Sequence, residues 1–282
     1  MSRRLALCAD DFGAAPNITE AVLALAAANR LTAVSCLVNG ACWGRDAASL
    51  GPLGARLEAG LHFNLTEGAP LSPALRTVWP RLPSLRALLV RAHLGALPLA
   101  AIRAELDAQL QAFGNALGRA PAYIDGHQHV HDLPGVRELV CDAVERAAPP
   151  PAVRNTGRIV GPGDAFKRSV IEATGGRALQ RLLRARGIAH NAALSGVYGF
   201  DTPSYRLRMQ AWLAALPPEG ALLFCHPGAS AGSARDDPIS AARQREFAYL
   251  GSDEFAADLT AAGVELGPVW ERPPVTGTTT PG

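Results

Sequence analysis

The residues best suited to chemistry in this chain of 282 are carboxylates and imidazoles gathered in a few short segments: Asp10-Asp11, His62, residues 125–131 and His226, with Arg154 beside them. Asp10 and Asp11 close an apolar run over residues 5–9. Adjacent strand residues point to opposite faces, but a twist into Phe12-Gly13 would turn both inward. Paired carboxylates suit a site in which one binds a cation and the other takes a proton from water. Taken alone, such a pair reads first as a helix cap beside a solvated carboxylate. His62 alternates with apolar neighbours in Gly60-Leu61-His62-Phe63-Asn64-Leu65, and a lone histidine of this kind reads first as a hydrogen-bonded core residue. Asn64 lies on the same side and would orient either the histidine or a substrate.

The run Asp125-Gly126-His127-Gln128-His129-Val130-His131 is a stronger signal. In extended chain Asp125, His127, His129 and His131 share one face; if the chain turned helical after 127, His127 and His131 would still meet at i, i+4. Such a cluster is costly to hide without a cation or an extended hydrogen-bond network. The alternative is an exposed histidine-rich loop. Imidazoles with one carboxylate suit zinc, iron, nickel or cobalt, whereas magnesium favours more oxygen ligands. His226 follows the apolar residues 222–225, and Pro227-Gly228 turns the chain directly after it. It would protonate a leaving amine, or serve as a structural histidine. Arg154 would bind a carbonyl oxygen or ring hydroxyl, or stand as a surface charge. No G-x-S-x-G, P-loop or G-x-G-x-x-G occurs, which removes support for serine hydrolase and nucleotide-binding readings.

These groups need strands to deliver them. Buried-type strands are expected at residues 5–9, 33–38, 60–65, 152–154, 221–225 and 264–270, with a polar strand at 123–131. Helices are expected after Asn17, which with Glu20 forms a capping-box pair, after Pro98, over 136–143, after Pro203 and over 239–250. Residues 66–83 read as a proline-rich loop, and 155–198 as helix with an insertion. Alternating β and α units argue for a parallel sheet covered by helices, open or closed into a barrel. In that arrangement the carboxyl ends of the strands meet on one ligand-binding face, and four separate segments carry carboxylates or imidazoles to it.

Composition bounds the remaining choices. Apolar residues make up 48% and charged residues 18%, which suits a compact globular chain. A formal charge of +2 with scattered arginines gives no nucleic-acid partner. Five cysteines without a C-x-x-C pair favour reduced thiols over a disulfide framework. Neither a secretory signal nor a membrane-spanning run is read, so a cytoplasmic location is expected. A single domain over residues 1–270 and a flexible tail over 271–282 follow from the Pro, Thr and Gly of the last segment.

At its polar segments the chain resembles the YdjC-like carbohydrate deacetylases, which include chitooligosaccharide and hopanoid-sugar deacetylases. The matching pieces are Ala9-Asp10-Asp11-Phe12-Gly13, Val38-Asn39-Gly40, Gly60-Leu61-His62-Phe63, Asp125-x-His127-x-His129-Val130-His131 and Cys225-His226-Pro227-Gly228, in the family's order. Gly126 and Gln128 depart from the chitooligosaccharide members, which carry serine and histidine there, and the region after Arg154 matches poorly. The resemblance implies an α/β fold of the irregular TIM-like (β/α) barrel type. It implies one divalent cation, magnesium or zinc, held by Asp11, His62 and His127, with Asp10 as general base and His226 as general acid. Asn64, Asp125, His129, His131 and Arg154 would contact the substrate or support the ligands. The partner implied is an N-acetylated sugar, lipid-linked carriers included, and the oligomeric state is left between monomer and homodimer. Two rivals stand beside this reading: another metallohydrolase, such as a phosphoesterase or cyclic amidase, and a non-catalytic sugar-binding or regulatory protein.

Overall fold

The computed structural model describes residues 3–230 and 237–271. In chain order the elements are β1 (Arg3–Phe12), α1 (Pro16–Ala27), β2 (Ala33–Cys36) and a short α2 (Trp43–Asp46) that runs into 3-10 turns. Then come β3 (Glu58–Phe63), α3 (Pro73–Val78), α4 (Leu85–His93), α5 (Leu99–Leu117), β4 (Tyr123–Gly126), a 3-10 segment (His127–Asp132), α6 (Val136–Arg146) and β5 (Ala152–Val153). The chain continues through α7 (Ala165–Ile171), a π-helical turn (Glu172–Gly176), α8 (Arg177–Ala185), β6 (His190–Asn191) and β7 (Leu194–Ser195). It ends with α9 (Tyr205–Ala214), β8 (Ala221–Cys225), α10 (Ser240–Leu250), α11 (Asp253–Ala262), β9 (Val264–Leu266) and β10 (Trp270–Glu271). No helix among the described residues is long and apolar enough to cross a membrane.

The strands form one sheet in the order β10-β6-β5-β4-β3-β2-β1-β8-β7, with β9 also on β1; every pairing is parallel except β10 with β6. β6 and β7 lie near opposite edges of that order, yet only Ala192 and Ala193 separate them in the chain. A two-residue connection reaches only about 10 Å, so the sheet must curl until its edges approach. The gap is crossed by a single parallel bridge, Ile159 to Leu194, rather than by a ladder. The result is a curled, mostly parallel α/β sheet. The continuous ring of a TIM-like barrel is not formed among the described residues, because β5, β6 and β7 are each only two residues long.

Strand alternation sorts the core into two sides. Leu5, Leu7 and Ala9 of β1, with Val34, Leu61, Ile124, Val153 and Leu223, join the large cluster that meets the helices. Ala6, Cys8, Ala33, Tyr123, Leu194, Leu222 and Phe224 form a smaller cluster on the concave side. The concave side is tight: a side chain at Gly60 would stand 2.3 Å from the Tyr123 ring, so only glycine lets that ring cross β3. Following the concave rows one step towards the strand ends gives Asp10, His62 and Asp125 in place of apolar residues. The inner rows thus run from apolar to ionisable along the strand direction, and this sets where the chemistry lies.

Several local expectations change. Asn17 is not the cap of α1: the helix begins at Pro16 with Ala15 as its cap residue, and the Asn17 amide donates to the Ser230 carbonyl. Pro16, with its fixed φ and no N–H, is suited to the first helical turn, which moves the start two residues earlier. The proline-rich segment holds α3, capped by Ser72. The last strand is split into β9 and β10, the second turning back antiparallel onto β6. Of the expected tail, Glu271 belongs to β10 and residues 272–282 lie outside the described residues.

Candidate active site and cation centre

Asp10 and Asp11 point into the same site because β1 is irregular there. The register with β2 shifts between Ala9 and Phe12, and Asp11 sits in the left-handed region at φ 69°. Aspartate tolerates that conformation better than most residues, and the bulge removes the alternation that would send the two carboxylates to opposite faces. Asp11 Oδ1 then lies 3.0 Å from His127 Nδ1 and 3.5 Å from His62 Nε2. His62 comes from β3, directly beside Asp125 of β4 in the sheet register, and its Nδ1 is 2.7 Å from Asp125 Oδ1. That bond leaves Nε2 turned towards Asp11.

The expected shared face of Asp125, His127, His129 and His131 is not realised. After Gly126 the chain leaves the sheet, and Gln128 and His129 adopt left-handed φ of 53° and 61°. Two consecutive non-glycine residues in that region are costly and concentrate at functional sites. The turn sends the three imidazoles to different places. His127 faces Asp11; His129 lines the cavity with its ring edge-on to Phe224; His131 is buried, its Nε2 2.9 Å from the Arg154 carbonyl. Neither the extended nor the helical alternative describes this segment.

Arg154 is fully buried rather than a free substrate ligand. Its guanidinium grips Asp10 through two hydrogen bonds of 2.7 Å, and Nη2 also lies 2.6 Å from Asp125 Oδ2. Ser35 adds a 2.6 Å hydrogen bond to the same Asp125 oxygen. Cys8, Asp10 and Asp125 have ligand atoms close enough for a cation, but the Arg154 guanidinium already occupies that position. Asn64 organises its loop: its Oδ1 accepts from the Thr66 and Glu67 amides and its Nδ2 donates to the Glu67 carbonyl. The loop so held brings Glu67 to 3.1 Å from His127 Nε2, too bent for a well-formed hydrogen bond.

A divalent cation fits the first group. One atom each from Asp11, His62 and His127 lies within 4.8 Å of the others. Ligand atoms about 2.1 Å from a shared centre stand about 3–3.5 Å apart, which matches the separations from Asp11. The electrostatics agree. Burial alone would lower the imidazole pKa values, yet Asp125, Asp10 and Asp11 lift His62 to about 10, and Asp11 with Glu67 lifts His127 to about 9. The anionic surroundings call for positive charge at this point, and two nitrogens with one carboxylate oxygen suit a borderline cation such as zinc.

Asp10 and His226 both line the cavity, which measures about 610 Å³ and also takes in Asp11, His62 and His127. Burial opposes charge on Asp10, but Arg154 holds its carboxyl well below the usual carboxylate range. Burial, with Arg243 and His62 nearby, lowers His226 to about 4 despite Asp11 and Asp10, so the ring is neutral at pH 7 rather than imidazolium. Phe200 and Phe224 flank it edge-on at 5.3 and 5.5 Å.

Three residues of the site were not anticipated from the sequence: Glu67, Arg243 and Glu246. Arg243 Nη2 is 2.7 Å from Asp11 Oδ2, and Glu246 Oε2 accepts the His226 backbone N–H at 2.5 Å. Both lie on the buried side of α10 among Ala242, Tyr249 and Leu250. Charges set into the apolar stripe of a helix are the sequence signal that marks them.

The model of the family described as YdjC-like protein matches residues 4–261. Carbohydrate deacetylase of Homo sapiens is 40% identical over 148 residues, covering 50% of this chain and 45% of its own length. Chitooligosaccharide deacetylase of Enterobacter sp. (strain 638) is 33% identical over 153 residues, covering 52% and 57%. The chain thus spans about half the length of the curated relatives it matches. Among solved structures, an Enterococcus faecalis V583 protein provisionally named for cellobiose-phosphate cleavage superposes with a TM-score of 0.73 at 20% identity, over 95% of this chain and 98% of its own. That likeness is one of fold.

Proposed function

Because the chain belongs to the YdjC-like protein family, we propose that it hydrolyses the acetamide of an N-acetylated amino sugar, releasing acetate and a free amine. The observation that carries this reading is the meeting, in one cavity, of a cation-type triad (Asp11, His62, His127) with a carboxylate and an imidazole outside it, Asp10 and His226. A divalent cation held by the triad would polarise the acetamide carbonyl and lower the pKa of the attacking water. Magnesium or zinc is proposed, the two imidazoles favouring zinc.

The chain's own groups divide the remaining work. Asp10, fixed by Arg154, is proposed to accept the proton of the attacking water. His226 is neutral at rest, so it must receive a proton during turnover before passing it to the departing amine nitrogen. The net transfer is one proton from water to the amine. Phe200 and Phe224 exclude water around the His226 ring. His129 and Glu67 line the same cavity and are proposed to meet the sugar hydroxyls, whereas His131 and Asn64 hold backbone.

Two observations bear on the rivals. A two-metal phosphoesterase needs a second cation, and among the described residues the second acidic group is filled by Arg154. A binding protein needs neither Asp10 nor His226 in the cavity. All five cysteines are buried free thiols, which supports a reducing, cytoplasmic setting. The deciding experiment is acetate release by the metal-loaded protein from chito-oligosaccharides, sugar nucleotides and N-acetylated glycolipids. Acetate from at least one class, abolished in Asp10→Asn, is the expected outcome. Silence across the panel with metal bound would overturn the proposal.

A further inference from the structure

Helix α10 carries two buried charged residues one turn apart, Arg243 and Glu246, and each reaches a different half of the site. We propose that they are positioning residues: together they fix the cation ligand Asp11 relative to His226. The inference rests on the deacetylase reading for its catalytic consequence, but its structural part stands on the coordination of Asp11 alone.

The Arg243 fork is divided. Nη2 binds Asp11 Oδ2 at 2.7 Å and Nε binds Asp237 Oδ2 at 2.7 Å. Because Asp11 Oδ2 is engaged in this way, only Oδ1 faces His62 and His127. Asp11 is therefore set up to give a cation one oxygen rather than two, which keeps other positions open for a carbonyl and a water. A lysine could not make the same two contacts, since a point-like ammonium cannot bridge carboxylates on either side as a planar fork does. Nη1 of Arg243 is buried with no hydrogen-bond partner among the described residues.

Glu246 acts on the other half. Its Oε2 accepts the backbone N–H of His226, and its Oε1 accepts the Tyr198 hydroxyl. What it holds is the backbone of His226, leaving the ring free to receive and pass on a proton between Phe200 and Phe224. Residues i and i+3 of a helix are neighbours on one face. A single rigid element therefore carries both constraints, and loss of either contact frees Asp11 or His226 to move relative to the other. Displacements of about 1 Å in such an arrangement cost about 10²-fold in rate.

The test uses the full chain loaded with cobalt(II), whose visible absorption reports coordination number, together with kcat and KM for the best acetylated sugar. In Arg243→Gln, Asp11 Oδ2 would be released and free to join the cation. The cobalt band should weaken and kcat should fall about 10²-fold, with KM within about threefold. Arg243→Lys keeps the charge and should show the same loss in milder form. Glu246→Ala should lower kcat at least about tenfold with an unchanged cobalt spectrum, and Glu246→Gln, which keeps an acceptor oxygen, should recover most of that loss. An unchanged spectrum in Arg243→Gln, or activity restored simply by excess cobalt, would overturn the proposal. If the wild-type protein released no acetate from any sugar, the deacetylase reading would fall, while the cobalt spectra would still decide the role of Arg243.

Discussion

His62 Nδ1 and Asp125 Oδ1 are 2.7 Å apart across two neighbouring strands, and this bond decides which ring nitrogen His62 turns towards Asp11. A carboxylate behind a metal-binding imidazole fixes its tautomer and raises its basicity. Asp125→Asn should therefore weaken zinc binding by about 10–100-fold, read by calorimetric titration of the metal-free protein. Unchanged affinity would remove Asp125 from this role.

Arg154 stands between two buried carboxylates, Asp10 and Asp125. Removing one partner of a buried ionic group leaves uncompensated charge, at a cost of about 3–5 kcal/mol. Arg154→Met should lose stability on that scale in urea unfolding. The double variant Arg154→Met/Asp10→Asn should recover part of it, since one of the two orphaned charges is gone. An additive double variant would show that the two residues do not act on each other.

Gly126 ends β4 where the chain leaves the sheet, and the structure gives the reason for glycine there. A Cβ there would stand 2.7 Å from the His131 backbone nitrogen and 2.9 Å from its Nδ1. Gly126→Ala should force the 3-10 turn outward, destabilise by about 1–3 kcal/mol, and weaken metal binding through His127. Thermal unfolding with and without zinc measures both effects, and a silent substitution would mean that the turn is soft.

Asp132 is buried against Thr156, and burial raises its pKa to about 7. An unfolded aspartate titrates near about 3.9, so between about pH 4 and 7 the folded chain holds the extra proton. Stability from this group is present at low pH and is lost as pH rises through that window. His131 and His226, both lowered to about 4, have the opposite slope below about pH 6.5. The informative quantity is thus a difference. Relative to wild type, Asp132→Asn should become progressively more stable from pH 4.5 to pH 7.5. A pH-independent difference in melting temperature would contradict the raised pKa.

The amino-acid pattern pointed to Asp10, Asp11, His62, His127 and His226, which line one cavity, but not to Glu67, Arg243 or Glu246. Asp10-Asp11, His62, His127 and His226 each stand in or just past an apolar run, and period-2 burial with a common strand polarity brings them to one end of the sheet. It was also sufficient for the alternation of strands and helices, because apolar periodicity is a local property. What it left open are relations made by chain segments far apart. The bulge that turns Asp10 and Asp11 the same way is seen only with β2 alongside. The left-handed turn at Gln128 and His129 scatters three imidazoles that an extended chain would have aligned.

Arg154 shows the same limit in energetic form. As a lone residue it reads equally as a surface charge or a sugar ligand, and it becomes a clamp only because Asp10 and Asp125 converge on it from two other strands. Arg243 and Glu246 are more distant still, more than 230 residues from Asp11 in the first case, and nothing in their immediate neighbours names their partners. Which residues are ionisable, and where each lies along its strand or helix, is written in the sequence. Which charge neutralises which is decided by the fold, because a buried ion is tolerable only where tertiary packing brings it a partner.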